Sequence, residues 1–151
     1  MSEPRRVRVQ GDLFHGRIPV AVDGRPAVYV GRAAPGLPAS IYANPFKVNE
    51  KIDRDSELWP YIAEVVPGGT RGLAAVSFAR AEQVVDAYSR WFFDVPALLL
   101  NAAEMLGGRD LACWCKLPRA GEPDHCHAAW LVGMAADLME GGERWSLSSV
   151  R

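Results

Sequence analysis

Valines alternate with arginines near the start of the chain, where Val7 and Val9 bracket Arg8, and a period of two returns at Val20, Val22, Val28 and Val30. Such alternation places every second side chain on one face, which predicts two or three short, half-buried strands. Asp23-Gly24 lies between the later valine pairs and predicts a hairpin turn, since both residues tolerate the backbone shapes that tight hairpins demand. The stretch 31–40, GRAAPGLPAS, is rich in Gly, Pro and Ala and runs into Tyr42, Asn44, Pro45 and Phe46, so a long loop is expected there. A second irregular stretch, PGGTRG at 67–72, follows a short apolar segment around Leu58, Trp59 and Ile62.

The period then changes. From about Ala79 to Phe93 the apolar positions Val84, Val85, Tyr88, Trp91 and Phe92 recur at helical spacing, and Val84, Tyr88 and Trp91 are the expected core face. Pro96 suits the first turn of a second helix, which Leu98 to Leu106 continue until Gly107-Gly108. Arg109 to Cys115 reads as a buried strand. The last helix is predicted from Asp124, as its N-terminal cap, to Met139, with His127, Leu131, Met134 and Leu138 on one face. This order predicts one α/β domain over 1–151, a small mixed sheet flanked by helices, for which Rossmann-like layering is one solution.

Composition changes that picture little: 49% hydrophobic and 23% charged residues are ordinary for a globular protein. A formal net charge of -1 argues against a broad cationic surface built for duplex DNA, although local basic patches are compatible with it. No stretch of about 18 apolar residues offers a membrane span, and no signal-type run follows Arg5, Arg6 and Arg8. The three cysteines are odd in number and lie close together, which suits a reducing compartment, so a cytoplasmic location without membrane contact is expected. Oligomeric state leaves no mark in the sequence.

The candidate chemistry gathers late in the chain. Strand geometry points Cys113 and Cys115 to one side and Trp114 to the other, while the loop 116–124 is long enough to return His125, Cys126 and His127 to the strand's end. Three thiolates and an imidazole from Cys113, Cys115, Cys126 and His127 would suit zinc, which accepts sulfur and nitrogen in a tetrahedron. The spacing is not that of a standard finger, and the same cysteines would serve equally as small buried core residues. At a helix start, Cys126 would feel the positive end of the helix dipole, favouring a thiolate. Cys126 and His127 are therefore the candidate catalytic groups. Lys116 and Arg119 would add positive charge for an anion, or else form plain solvated surface. His125 is expected to face solvent, and His127 would serve equally as a core histidine.

Four segments in order, Val30-Gly31-Arg32, Tyr42-Ala43-Asn44-Pro45-Phe46, Tyr88-Ser89-Arg90-Trp91 and GRDLACWCKLP with CHAAWL, give the chain a resemblance to a small bacterial and phage family that carries a domain-of-unknown-function label. Its members read VGRP, WGNPF, GKDLACWCPL and PCHADVL, and the likeness runs from about Arg6 to Leu138. The resemblance implies a shared fold and a shared site built from the NPF loop, the CWC strand and the CHA helix, with no reaction attached. Here Tyr42-Ala43 replaces Trp-Gly, an alanine follows Cys-His-Ala where relatives carry Asp, and the loop ahead of Cys126 is longer.

Two functional classes remain open. In one, Arg32, Tyr42, Asn44 and Phe46, with Lys116 and Arg119, hold a nucleotide, nucleoside or other phosphate-bearing small molecule against the last helix, and Cys126 or His127 acts in hydrolysis or transfer, N-glycosidic cleavage being one such reaction. In the other, the cysteines and His127 staple the fold, directly or through zinc, and the N-terminal arginines contact nucleic acid or protein without catalysis. The phage setting of the resembled family favours nucleic-acid metabolism by association only.

Overall fold

Leu111–Cys113 is buried at all three positions, as a strand must be when it has neighbours on both edges and packing on both faces. The computed structural model, which describes residues 4–11, 16–20, 24–34 and 36–139, makes this strand (β7) the centre of a three-stranded parallel sheet. Strand β1, Arg6–Arg8, pairs along one edge with Val7 opposite Ala112. Strand β4, Val28–Tyr29, pairs along the other with Tyr29 opposite Ala112. Backbone bonds extend both ladders: the Val9 N–H donates to the Cys113 carbonyl at 2.9 Å and the Val30 N–H to the Ala112 carbonyl at 3.0 Å.

Two small antiparallel pairs complete the strands: β2 (Gln10–Gly11) with β3 (Gly16–Arg17), and β5 (Ile52–Asp53) with β6 (Ala75–Val76). The hairpin expected around Asp23-Gly24 survives as a single bridge between Val20 and Pro26, with Gly24 at φ 85°; Val22 and Asp23 themselves lie outside the described residues, as does the tail 143–151. The predicted loop at 31–40 has no strand, and the apolar segment before 67–72 closes into a 3-10 turn at Trp59–Tyr61.

Helices α1 (Ala81–Phe93), α2 (Pro96–Leu106) and α3 (His127–Met139) pack on one another and on one face of the sheet. Pleat alternation sorts the two sides. Leu111 and Cys113 join the large core with Tyr88, Phe92, Leu106 and Leu131, whereas Ala112 turns to a smaller cluster with Val9 and Ala27, against which Val7, Tyr29, Leu37 and Trp114 pack. Val84 and Tyr88 form the core face of α1 as their spacing predicts, but Trp91 is only partly buried and Phe92 takes the fully enclosed place. Spacing alone places Trp91 and Phe92 a mere 100° apart around the helix, and the neighbouring Trp130 and Phe93 rings decide between them.

The last helix starts three residues later than predicted. Asp124 does not cap it; its carboxylate is taken by Arg6, and the Cys126 carbonyl instead accepts the first helical bonds, from the Ala129 N–H at 3.0 Å and the Trp130 N–H at 3.3 Å. Among the described residues no helix is long and apolar enough to cross a membrane.

Candidate functional site

Strand β7 stops at Cys113, at the C-terminal edge of the parallel sheet, and the chain bends through Trp114 and Cys115. That bend keeps the strand's alternation long enough to bring the two sulfurs of the CWC segment to 3.5 Å while Trp114 packs on the opposite side. The chain then returns at Cys126 and His127 as α3 begins. The Cys113 and Cys126 sulfurs and a ring nitrogen of His127 all lie within 4.8 Å of one another, and all three residues are buried. Cys115 stands beside them and is exposed.

Two buried contacts fix this geometry. The His127 Nε2 lies 2.7 Å from the Val30 carbonyl oxygen, so the N–H belongs on Nε2 and the lone pair on Nδ1. The Tyr88 ring meets the imidazole edge-on at 5.2 Å between centroids. The second contact is Arg6, which donates through Nη1 to the Cys115 carbonyl at 2.6 Å, through Nη2 to the Lys116 carbonyl at 3.0 Å, and through Nε and Nη2 to both oxygens of Asp124. One guanidinium thereby ties the segment after β7 to the segment before α3.

Electrostatics follow from that crowding. Cys113 is pulled down to about 3, chiefly because the Cys115 thiol, and then the Cys126 thiol, direct hydrogen bonds at its sulfur. Cys126 is pushed up because its proton is held by Cys113 and then by Cys115, with burial adding to the effect. Cys115 is raised for the same reason, through its bond to Cys113. Among three close sulfurs a first thiolate is stabilised by the thiols beside it and opposes a second, so the charge belongs to the cluster as a whole. Burial lowers His127, partly offset by its bond to the Val30 carbonyl, so the ring is held neutral.

Above the cluster opens a cleft of about 380 Å³. Cys113, Cys115, Cys126 and His127 form its floor, Gly31, Arg32, Asn44, Phe46, Lys47 and Val48 one wall, and Ala81, Val84 and Val85 of α1 the other, with Trp114 and His125 at the rim. Among the described residues no carboxylate lines it, while Arg32, Lys47 and His125 do. The wall is held by its own bonds. Arg32 donates through Nε to the Asn44 carbonyl at 2.9 Å and through Nη2 to the Phe46 carbonyl at 2.6 Å, and the Asn44 Oδ1 accepts the Phe46 N–H at 2.9 Å. The Tyr29 hydroxyl donates to the Arg32 carbonyl.

The residues singled out in the sequence divide accordingly. Arg32, Asn44 and Phe46 reach the cleft together with Cys126 and His127. Tyr42, facing Phe92, and Phe46 are each 1% exposed and belong to the core, so neither offers a free ring face for stacking. Lys116 and Arg119 are exposed and stand outside the cleft's lining. His125 is exposed as expected but sits at the rim, 3.8 Å from a Glu82 oxygen. Lys47, Val84 and Val85 were missed as lining residues; Lys47 adjoins the NPF segment, which was the available signal. Burial of Arg6 had no signal, since a charged residue alternating with valines looks like any exposed strand position.

The family described as Domain of unknown function (DUF4326) matches residues 20–137. No curated protein matches the chain, and neither does any solved structure.

Proposed function

The chain belongs to the DUF4326 domain-of-unknown-function family, and from that premise we propose that it is a small-molecule-binding domain in which a phosphate-bearing ligand, such as a nucleotide, sits over a zinc ion. The observation that carries the reading is the meeting of a buried sulfur and imidazole cluster with a carboxylate-free, partly cationic cleft. The donor set suits zinc, because soft thiolates with a neutral imidazole select it over the hard cations that prefer oxygen. The bond from His127 Nε2 to the Val30 carbonyl fixes the ring's orientation and leaves Nδ1 with its lone pair, as a metal-bound histidine requires. Arg32 and Lys47 supply positive charge for an anion.

The reading is one of binding rather than hydrolysis or transfer. A general base must reach the proton it removes, and the groups available are poorly disposed for that: among the described residues no carboxylate lines the cleft, and the His127 Nε2 is engaged by the Val30 carbonyl. Metal analysis of the purified chain tests the zinc, and calorimetric titration with nucleoside monophosphates and sugar phosphates tests the cleft, with Asn44→Ala and His127→Ala as controls. The proposal fails if no such compound binds the wild type at millimolar concentration.

A second reading, a zinc-stapled module that binds nucleic acid and performs no chemistry, is favoured by a separate groove. It lies along β1 and β3, has a volume of about 750 Å³, and is lined by Arg5, Arg8, Arg17 and Gln10 with no carboxylate among the described residues. Anisotropy of a labelled single-stranded oligonucleotide separates the two: binding that weakens steeply with salt supports the module, since each phosphate neutralised releases a counterion.

A further inference from the structure

Four sulfur and nitrogen donors would saturate a tetrahedral metal, and a saturated metal is a staple; three protein donors leave one position for a guest. The four candidates here are not equivalent. Cys113, Cys126 and His127 are buried, and their donor atoms form one mutually close set. Cys115 is exposed and outside that set, joined to it through the 3.5 Å approach to the Cys113 sulfur. It follows the end of β7, so no strand pairing holds its side chain. Its main chain is nevertheless pinned, because its carbonyl accepts the Arg6 Nη1–H at 2.6 Å. Rotation about its own Cα–Cβ bond is therefore enough to move the sulfur toward or away from the cluster while the backbone stays still.

The cleft lies over the same floor, so whatever enters it meets this side of the cluster first. We infer that Cys113, Cys126 and His127 form a three-donor tripod whose remaining position belongs to the bound guest, and that an anionic oxygen of that guest, a phosphate oxygen foremost, coordinates the metal directly in the place Cys115 would otherwise take. The inference rests on the zinc and anion reading proposed above, and adds that ion and ligand share a bond. No covalent chemistry is implied: a neutral or anionic sulfur leaves the coordination sphere and an oxygen donor enters it. The lining fits an anion, with Arg32 and Lys47 on the wall and, among the described residues, no carboxylate to oppose it. Fixing His127 through Val30 and fixing the two buried sulfurs on β7 and at the head of α3 gives the tripod its rigidity, whereas Cys115 alone is free to yield.

Cobalt in place of zinc makes this visible, because its visible absorption bands report the donor set. The full-length wild type, Cys113→Ala, Cys126→Ala and Cys115→Ala are each loaded with cobalt and analysed for metal, then titrated with inorganic phosphate and with a nucleoside monophosphate. The expected result is that Cys115→Ala keeps one metal per chain, Cys113→Ala and Cys126→Ala lose it, and phosphate shifts the cobalt bands of both wild type and Cys115→Ala. Complete loss of metal from Cys115→Ala with an unchanged circular dichroism spectrum would overturn the inference. So would phosphate that binds by calorimetry yet leaves the bands unmoved. Should the buried-cysteine variants fail to fold, zinc K-edge absorption of the wild type with phosphate bound decides: two sulfurs about the zinc support the tripod, and three refute it. A wild type that takes up no metal, or binds no phosphate compound, removes the underlying proposal itself, an outcome distinct from unmoved bands on a binding ligand.

Discussion

The Arg6 guanidinium holds the Asp124 carboxylate by two parallel hydrogen bonds, Nε to Oδ2 at 2.8 Å and Nη2 to Oδ1 at 2.7 Å. The two residues lie at opposite ends of the chain, and the arginine side chain is 3% exposed against 23% for the aspartate. Such a fork positions charge and geometry together, and here it clamps the strand carrying Cys113 to the helix carrying His127.

Removing one member of this pair leaves a desolvated charge without its partner, which costs far more than the pair itself contributes. Asp124→Asn and Arg6→Met are each expected to destabilise the domain by about 3 kcal/mol or more, read from urea unfolding midpoints at constant slope. The double variant Arg6→Met with Asp124→Leu is expected to recover part of that loss. Equal stability of the single variants and the wild type would show that the clamp is dispensable.

Metal should stabilise the fold, because its donors meet only in the native state. With free zinc at about a hundred times its dissociation constant, binding adds about 2.7 kcal/mol. At a few degrees per kcal/mol for a chain of this size, chelation should lower the melting temperature by about 5 to 10 °C. Differential scanning calorimetry with and without chelator measures it, and His127→Ala is expected to abolish the difference.

Tyr88 supplies a pH dependence dominated by burial. Its hydroxyl donates to the Tyr42 carbonyl at 2.6 Å from a fully enclosed position, and burial raises its pKa above the ordinary value of 10.0, with nearby Tyr42 and Cys126 adding to the rise. A raised folded-state pKa means the ionised form is rejected by the fold, so its stabilisation is complete below the unfolded value of about 10 and is lost as pH rises through the folded one. Tyr88→Phe should therefore cost about 1 kcal/mol at neutral pH for the lost bond, and its stability should fall less steeply than that of the wild type above pH 10. Parallel curves for the two proteins at alkaline pH would contradict the assignment.

Phe92 and Trp91 offer a comparison within one helix. Phe92 is wholly enclosed, stacked on Tyr42 and edge-to-face with Tyr88 and Trp130, so Phe92→Ala is expected to cost about 3 to 5 kcal/mol. Trp91→Ala, at a partly buried site against Tyr88, should cost clearly less. A larger loss for Trp91 in thermal or chemical unfolding would reverse this view of the core.

Local pattern was enough to determine α1, α2 and the buried run of β7, because helical periodicity, a proline at a first turn and a bounded apolar stretch act through near neighbours. It also determined that Cys113 and Cys115 would share a side, since pleating is a property of consecutive residues, and the CWC and CHA segments could be named as one candidate site. Everything that depends on distant partners was decided by tertiary structure. Asp124 has the composition of a helix cap, yet Arg6, remote in sequence, outcompetes the helix for its carboxylate. Tyr42 and Phe46 look like ring-bearing loop residues free to stack on a guest, but tertiary packing encloses both rings in the core. The helix start alone would favour a thiolate on Cys126, but the meeting of three sulfurs makes the charge a property of the cluster. Sequence spacing selects which side chains face the same way; only the assembled sheet, with β1 and β4 on either side of β7, determines which of them come within bonding distance.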